Sequence, residues 1–273
     1  EEWGLTPATK VVTATGDVHS AVVGSGALGD YEGHLYMGTS SWLSCHLPTK
    51  RTDLLNNQAA LPSAVPGRYF LANEHEVGGG ALLWLRDQAQ MIRDVDEANE
   101  LAAAAPAGSG RVIFTPWLNG ERTPVDDHTI RGGWNNVSLT TTRPDLVRSV
   151  FEGVAFNSRW LLDTVEKFIK RPLDGLNFIG GGARSDLWCQ MHADICDRVI
   201  RRVAEPQHAN ARGAAFVAWL ALGRQSLDEL NRAVTIEQEF RPDPDGRAAY
   251  APLYKEFTKL YKAHKAIHAR LNG

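Results

Sequence analysis

A single carboxylate, Asp17, closes the apolar run Val11-Val-Thr-Ala-Thr-Gly, and further along Gly38-Thr39-Ser40-Ser41 interrupts two strand-like segments, His34 to Met37 and Trp42 to His46. Phosphoryl transfer needs both features. One group must orient a hydroxyl nucleophile, and backbone N–H groups with hydroxyls must hold phosphate oxygens. Each has a plainer reading: an isolated Asp after Gly commonly starts a helix, and Gly, Thr and Ser are ordinary turn residues.

Two glycine runs supply further candidate concavities. Gly180-Gly181-Gly182-Ala183-Arg184-Ser185 leaves the strand-like Leu176 to Ile179 and opens a helical segment, where absent side chains let a flat ring or a phosphate reach the backbone and a helix start favours an anion. Gly78-Gly79-Gly80 likewise precedes the helical Ala81 to Asp87. A tight strand-to-helix turn explains either run equally well.

Other patterns fail on context. Gly24-Ser-Gly26-Ala-Leu-Gly29 spells G-x-G-x-x-G, but it follows a helix-like segment and leads into a turn, whereas the dinucleotide fingerprint leaves a strand and opens a helix. Glu74-His75-Glu76 lies in an extended segment whose neighbours alternate faces, so it does not carry metal-ligand spacing, and no metal site is expected. Asp17, His19 and Ser20 are triad residue types without triad geometry.

These groups must be held by alternating strands and helices. Val11 to Ala14 reads as a short strand and Asp17 to Val23 as a packed helix. Thr52 to Pro66 reads as loop, and the helix from Ala81 is expected to continue into Met91 and Ile92. Asp94 to Gly110 suggests a short helix and connector, and Val112 to Pro116 a strand. Thr142-Arg-Pro-Asp145 carries a capping-box signature before a long helix through Leu146, Val150, Val154, Leu161 and Val165 to about Ile169. Asp186 to Cys196 and Gly213 to Leu222 are helical, Val199 to Val203 is a strand, and Tyr250 to Leu271 is a last amphipathic helix. The alternation makes the fold class α/β.

Bulk properties narrow the function classes. With 273 residues and 43% hydrophobic content the chain can bury a sizeable core, and a net charge of −3 leaves no footprint for nucleic acid. Arg198, Arg201 and Arg202 are too few to form a patch. Cys45, Cys189 and Cys196 are an odd, scattered set with no Cys-x-x-Cys pair, which fits a reducing cytoplasm rather than a disulfide framework. No apolar run is long enough to span a bilayer, so no membrane partner is expected. The chain starts at Glu1 without an initiator Met, as a processed or excised segment would.

Taken together, these segments resemble the C-terminal half of the FGGY carbohydrate kinases, most closely the xylulose-kinase-like branch. Thr15-Gly-Asp17 with Ala21 and Gly24 resembles the family's catalytic-aspartate segment, and Gly38-Thr-Ser-Ser-Trp42 its second phosphate motif. Gly120-Glu-Arg-Thr-Pro124 is similar to a run found after a strand in such kinases. Gly132-Gly-Trp-Asn-Asn-Val137 with Ser149-Val-Phe-Glu152 resembles the second signature, and Gly180 to Ser185 the adenosine motif. Asn136 stands where that signature normally has Gly. The resemblance implies an actin-like ATPase (ribonuclease-H-like) domain with a mixed sheet flanked by helices, residues 1–273 forming one nucleotide-side domain whose N-terminal partner domain is absent.

It further implies transfer of the ATP γ-phosphoryl group to a ketose or polyol hydroxyl. Asp17 would be the base, Gly38, Thr39 and Ser40 the phosphate turn, Gly79 a backbone phosphate contact, and Gly181, Gly182 and Ser185 the adenosine border. Mg²⁺ would accompany ATP, held through water and the missing domain. The isolated chain is expected to bind nucleotide weakly and turn over nothing, and a homodimer through an exposed helix face is open. A non-catalytic nucleotide-binding or regulatory module of the same fold is the alternative.

Overall fold

The structure is a computed structural model describing residues 3–13 and 15–273. Its strands are β1 (Gly33–Met37), β2 (Ser41–Leu47), β3 (Thr52–Asp53), β4 (Gln58–Pro62), β5 (Tyr69–Ala72), β6 (Ile113–Thr115), β7 (Gly133–Asn135), β8 (Gly175–Ile179), β9 (Val199–Val203) and β10 (Ile236–Phe240). Its helices are α1 (Asp17–Gly24), α2 (Gly80–Asp87), α3 (Val95–Ala104), α4 (Arg143–Ile169), α5 (Asp186–Cys196), α6 (Ala209–Ala221), α7 (Leu227–Arg232) and α8 (Pro244–Asn272).

Eight strands form one mixed sheet in the order β10-β9-β8-β1-β2-β5-β4-β3, and β6 pairs with β7 separately. β8 runs parallel to both β1 and β9, and the other pairs are antiparallel. The α/β expectation with a mixed sheet between helices therefore holds. Strand alternation sorts the two faces. Leu35, Met37, Leu43 and Cys45 point into the main core with Val150, Phe151 and Val154 of α4. The opposite face carries Trp42 and Tyr36 toward Ala21 of α1 and Ala209 of α6.

Local signals account for several boundaries. Thr142 caps α4 by accepting from the Asp145 N–H while the Asp145 side chain takes the Thr142 N–H, and Lys170 ends the helix at φ 59°. Met37 pairs with Ser41, so Gly38 to Ser40 is the hairpin turn. The Gly24 to Gly29 run lies at the end of α1, not between a strand and a helix. Gly24 instead permits a close crossing, since a Cβ there would sit 2.8 Å from the Gly213 nitrogen of α6. The three cysteines are buried and unpaired. Arg198, Arg201 and Arg202 are neutralised by Glu166, Glu239, and Asp186 with Glu237.

Several expectations fail. Val11 to Thr13 form no strand, and Ala14 of that segment lies outside the described residues. Thr52 to Pro66 contains β3 and β4 rather than loop alone. α2 stops at Asp87 because the chain turns through Gln90 at φ 52°, bringing the Met91 N–H to the Leu85 carbonyl. α6 and α8 begin earlier than their apolar spacing indicates. α7, β7 and β10 carry too little apolar pattern to be read: β10 is exposed except at Phe240.

Candidate active site

Asp17 is the first residue of α1, and the N-cap is Gly16, so the carboxylate is not needed as the cap. Its Oδ1 accepts the Val18 N–H at 2.8 Å, and the side chain is exposed. It lines a cavity of about 560 Å³ with Thr52, Asn57, Phe70, Asn73 and Arg122.

Gly38 to Ser41 and Gly78 to Gly80 are stitched together through the backbone. Gly78 and Gly80 donate to the Thr39 carbonyl at 2.8 and 3.0 Å, and Gly79 donates to the Gly38 carbonyl at 2.7 Å. The Gly79 N–H, expected to face phosphate, is thus committed inside the protein. What Gly79 contributes is a missing side chain: a Cβ would lie 2.6 Å from the Gly38 oxygen. Thr39 is exposed at the tip of the turn and Ser40 is half-buried.

The adenosine-motif glycines do not open an α-helix directly. Gly180 takes φ 90°, Gly181 to Arg184 form a 3₁₀ turn, and α5 starts after Ser185. A Cβ on Gly182 would come 2.8 Å from the Met37 Cβ, so this run packs against the end of β1. A Cβ on Gly181 would meet nothing within 4 Å and would project into open space. The Ser185 hydroxyl accepts the Trp188 N–H at 3.1 Å and donates to the Asn99 Oδ1 at 2.5 Å, bridging α5 to α3. It therefore holds two walls together, and its one proton is already donated.

Six of the expected residues, Gly38, Thr39, Gly79, Gly181, Gly182 and Ser185, line one cavity of about 380 Å³. Asp17 lines the other cavity, and Ser40 lines neither. Tyr36 packs beside the turn. Its ring carbon Cζ would lie 2.7 Å from a Cβ on Gly38, and the ring stacks on Trp42 at 3.8 Å between centroids. Burial raises the Tyr36 pKa, and the Asp17 charge raises it further.

Sequence reasoning missed the α3 wall, where Asp96 and Asn99 face the glycines. The Asp94 cap marks that α3 forms, but nothing local indicates which side it presents. Glu74-His75-Glu76 is structural: Glu74 and Glu76 clamp Arg122, and His75 is buried beside Glu121. Among the described residues no three His, Cys, Asp or Glu side chains could hold a metal ion together. Asn136 adopts φ 65°, a left-handed conformation that Asn tolerates better than other side chains, and its amide donates to the Arg111 carbonyl at 3.1 Å. The glycine-like backbone therefore survives that substitution.

Residues 33–222 match the family model described as the FGGY family of carbohydrate kinases, C-terminal domain. The chain belongs to the FGGY family. A xylulose kinase of Staphylococcus epidermidis is 29% identical over 276 residues, covering 99% of this chain and 55% of that protein. A glycerol kinase of Enterococcus casseliflavus is 36% identical over 176 residues, covering 64% of this chain and 34% of that protein. Among solved structures, a ligand-bound xylulose kinase from Lactobacillus acidophilus superposes with a TM-score of 0.88 at 26% identity, covering 98% of this chain and 54% of that one. A gluconate kinase from the same organism gives 0.82 at 27% identity, covering 93% and 51%. This FGGY chain spans about half the length of the curated relatives it matches. No helix among its described residues is long and apolar enough to cross a membrane.

Proposed function

We propose that this chain supplies the nucleotide side and the base of an ATP-dependent sugar kinase acting on a ketose such as xylulose or on a related polyol. The observation that carries this reading is the gathering of Gly38, Thr39, Gly79, Gly181, Gly182 and Ser185 around one cavity. The open space over Gly181 fits a flat purine or ribose against bare backbone, and exposed Thr39 offers a hydroxyl to phosphate oxygens.

In the transfer, the acceptor oxygen forms a bond to the γ-phosphorus, the bond from that phosphorus to the bridging oxygen breaks, and ADP leaves with the bond's electrons. The acceptor's proton passes to the Asp17 carboxylate. An exposed Asp is a weak base near neutrality, so its work is to orient the hydroxyl and take the proton late, as the oxygen becomes acidic on bonding phosphorus.

Mg²⁺ bound with the nucleotide would neutralise phosphate oxygens. Mg²⁺ in such sites keeps several waters and needs one or two carboxylates beside the phosphates. This chain offers no three-ligand cluster among its described residues. The other half of the relatives' length would supply most sugar contacts, so the isolated chain should not turn over.

The test joins this chain to the half its relatives carry and assays phosphorylation of pentuloses and polyols. Asp17→Asn should lower turnover by about 10²- to 10⁴-fold, the range for losing a positioned general base, while ADP affinity stays within about twofold. Undiminished turnover in Asp17→Asn removes the base. Absence of ADP binding by the intact protein removes the kinase reading.

A further inference from the structure

We propose that Glu121 is a positioning residue for the Thr39 turn, acting through His75 and Glu76; this rests on the reading of Thr39 as a phosphate contact. Glu121 is 1% exposed, yet its carboxylate is fully served by donors. Oε1 accepts the N–H groups of Glu76 at 3.1 Å and Arg122 at 2.9 Å. Oε2 accepts the Asn157 amide of α4 at 2.6 Å and lies 3.2 Å from the His75 Nδ1. The Glu121 backbone is itself fixed by reciprocal bonds with Asp127 at 3.0 and 2.9 Å.

The segment it holds leads straight to the turn. His75 exchanges backbone hydrogen bonds with Ser41 at 2.7 and 3.3 Å, and Gly78 and Gly80 then donate to the Thr39 carbonyl. Residues 75–80 are therefore a strap pinned at one end to a buried carboxylate, itself tied to Asn157 of α4, and carrying the turn at the other. Its glycines give the turn no side-chain support, so the anchored end sets its place.

The imidazole bears this out. His75 Nδ1 lies 3.0 Å from the Asn157 Nδ2 donor and 3.2 Å from the Glu121 Oε2 acceptor, so that ring nitrogen has a polar partner in either tautomer. The His75 Nε2 is then left buried without a partner. An apolar side chain would fill the same place with no orphaned nitrogen, so packing alone does not account for a histidine here. The Nδ1 contacts to Glu121 and Asn157 do.

The test compares adenosine and ATP affinities in the full-length protein, because adenosine reports the glycine-lined cavity and only ATP reports the turn. Glu121→Gln places an amide among donors and should weaken ATP by about tenfold, the equivalent of one ordinary hydrogen bond, with adenosine within about twofold. Should that variant not fold, His75→Ala should raise the adenosine-relative loss of ATP several-fold, and His75→Asn, whose amide N–H reaches the place of Nδ1, should restore it. Equal losses for both ligands, or none for either, overturn the proposal. If Thr39→Ala selectively weakens ATP while Glu121 and His75 variants do not, the turn stands and the positioning role falls. If wild-type protein binds ATP no more tightly than adenosine, the phosphate turn falls and the positioning role with it.

Discussion

Gly24 and Gly213 meet at the crossing of α1 and α6: a Cβ on Gly213 would lie 2.7 Å from the Ser20 carbonyl carbon and 2.8 Å from the Gly24 nitrogen. Both obstacles are backbone, so α1 must shift to admit a methyl group, and α1 carries Asp17 at its first position. Gly213→Ala gains about 1 kcal/mol of helix propensity. Overpacking costs about 1–3 kcal/mol and is expected to win. Thermal unfolding should move down by a few degrees, at about 2–4 °C per kcal/mol for a domain of this size class, and turnover should fall with it. A melting temperature at or above wild type would show that the crossing has slack.

Gly181 is the useful contrast. A Cβ there meets nothing within 4 Å and the residue has no left-handed φ, so Gly181→Ala should leave stability within about 0.5 kcal/mol. Its methyl group would nevertheless occupy the cavity of about 380 Å³. Calorimetric titration should show weaker ADP binding in a protein of unchanged melting temperature. Unchanged affinity would place the nucleotide elsewhere.

Three buried histidines make stability depend on acid. Burial lowers His34 from 6.5 to about 3, with His46 adding to the effect, and burial lowers His46 and His192 to about 4. Above pH 6.5 these rings are neutral in both states and the fold is fully stable with respect to them. Between about 6 and 4 the unfolded chain binds protons that the native one refuses, so stability falls with falling pH, by about 1.4 kcal/mol per pH unit for each ring. Denaturant titrations at pH 7 and pH 5 should differ accordingly, with nearly three protons taken up on unfolding at pH 5 from these rings. Equal stability at the two values would mean that the rings are hydrated or paired in the native state.

What could be read from sequence follows the range of the interactions. The Thr142 and Asp145 capping box, the β1–β2 hairpin and the glycine turns are local, and each lies where its residues indicate. β10 exists only because the sequence-distant β9 offers an edge, and β3, which pairs with the neighbouring β4, is two polar residues long; neither carries an alternation to reveal it. The site shows the same division. Glycine and hydroxyl runs mark the backbone that forms the cavity, yet sequence did not reveal that the Gly79 N–H and the Ser185 hydroxyl are taken by Gly38 and Asn99. Nor could it reveal that Asp17 opens onto a different cavity, because that depends on how α1 crosses the sheet.

The Arg148 guanidinium ties three helices together at the end of α3, which walls the glycine-lined cavity. It donates to Glu152 at 2.7 Å, to the Ala102 and Ala105 carbonyls at 2.8 and 3.0 Å, and to the Tyr250 hydroxyl of α8 at 2.8 Å. Glu152 also accepts from Gly108 N–H at 2.9 Å and Ser109 at 2.8 Å. Arg148→Met leaves a buried carboxylate without its cation and two carbonyls at the end of α3 without donors, which should cost about 3–5 kcal/mol in urea unfolding. Arg148→Met with Glu152→Leu should recover part of that loss, because the pair's burial is itself costly. Since α3 also presents Asn99 to the glycine-lined cavity proposed for nucleotide, the single variant should weaken ADP binding as well. A single variant as stable as wild type would mean that water reaches Glu152 and that α3 is held by its apolar contacts alone.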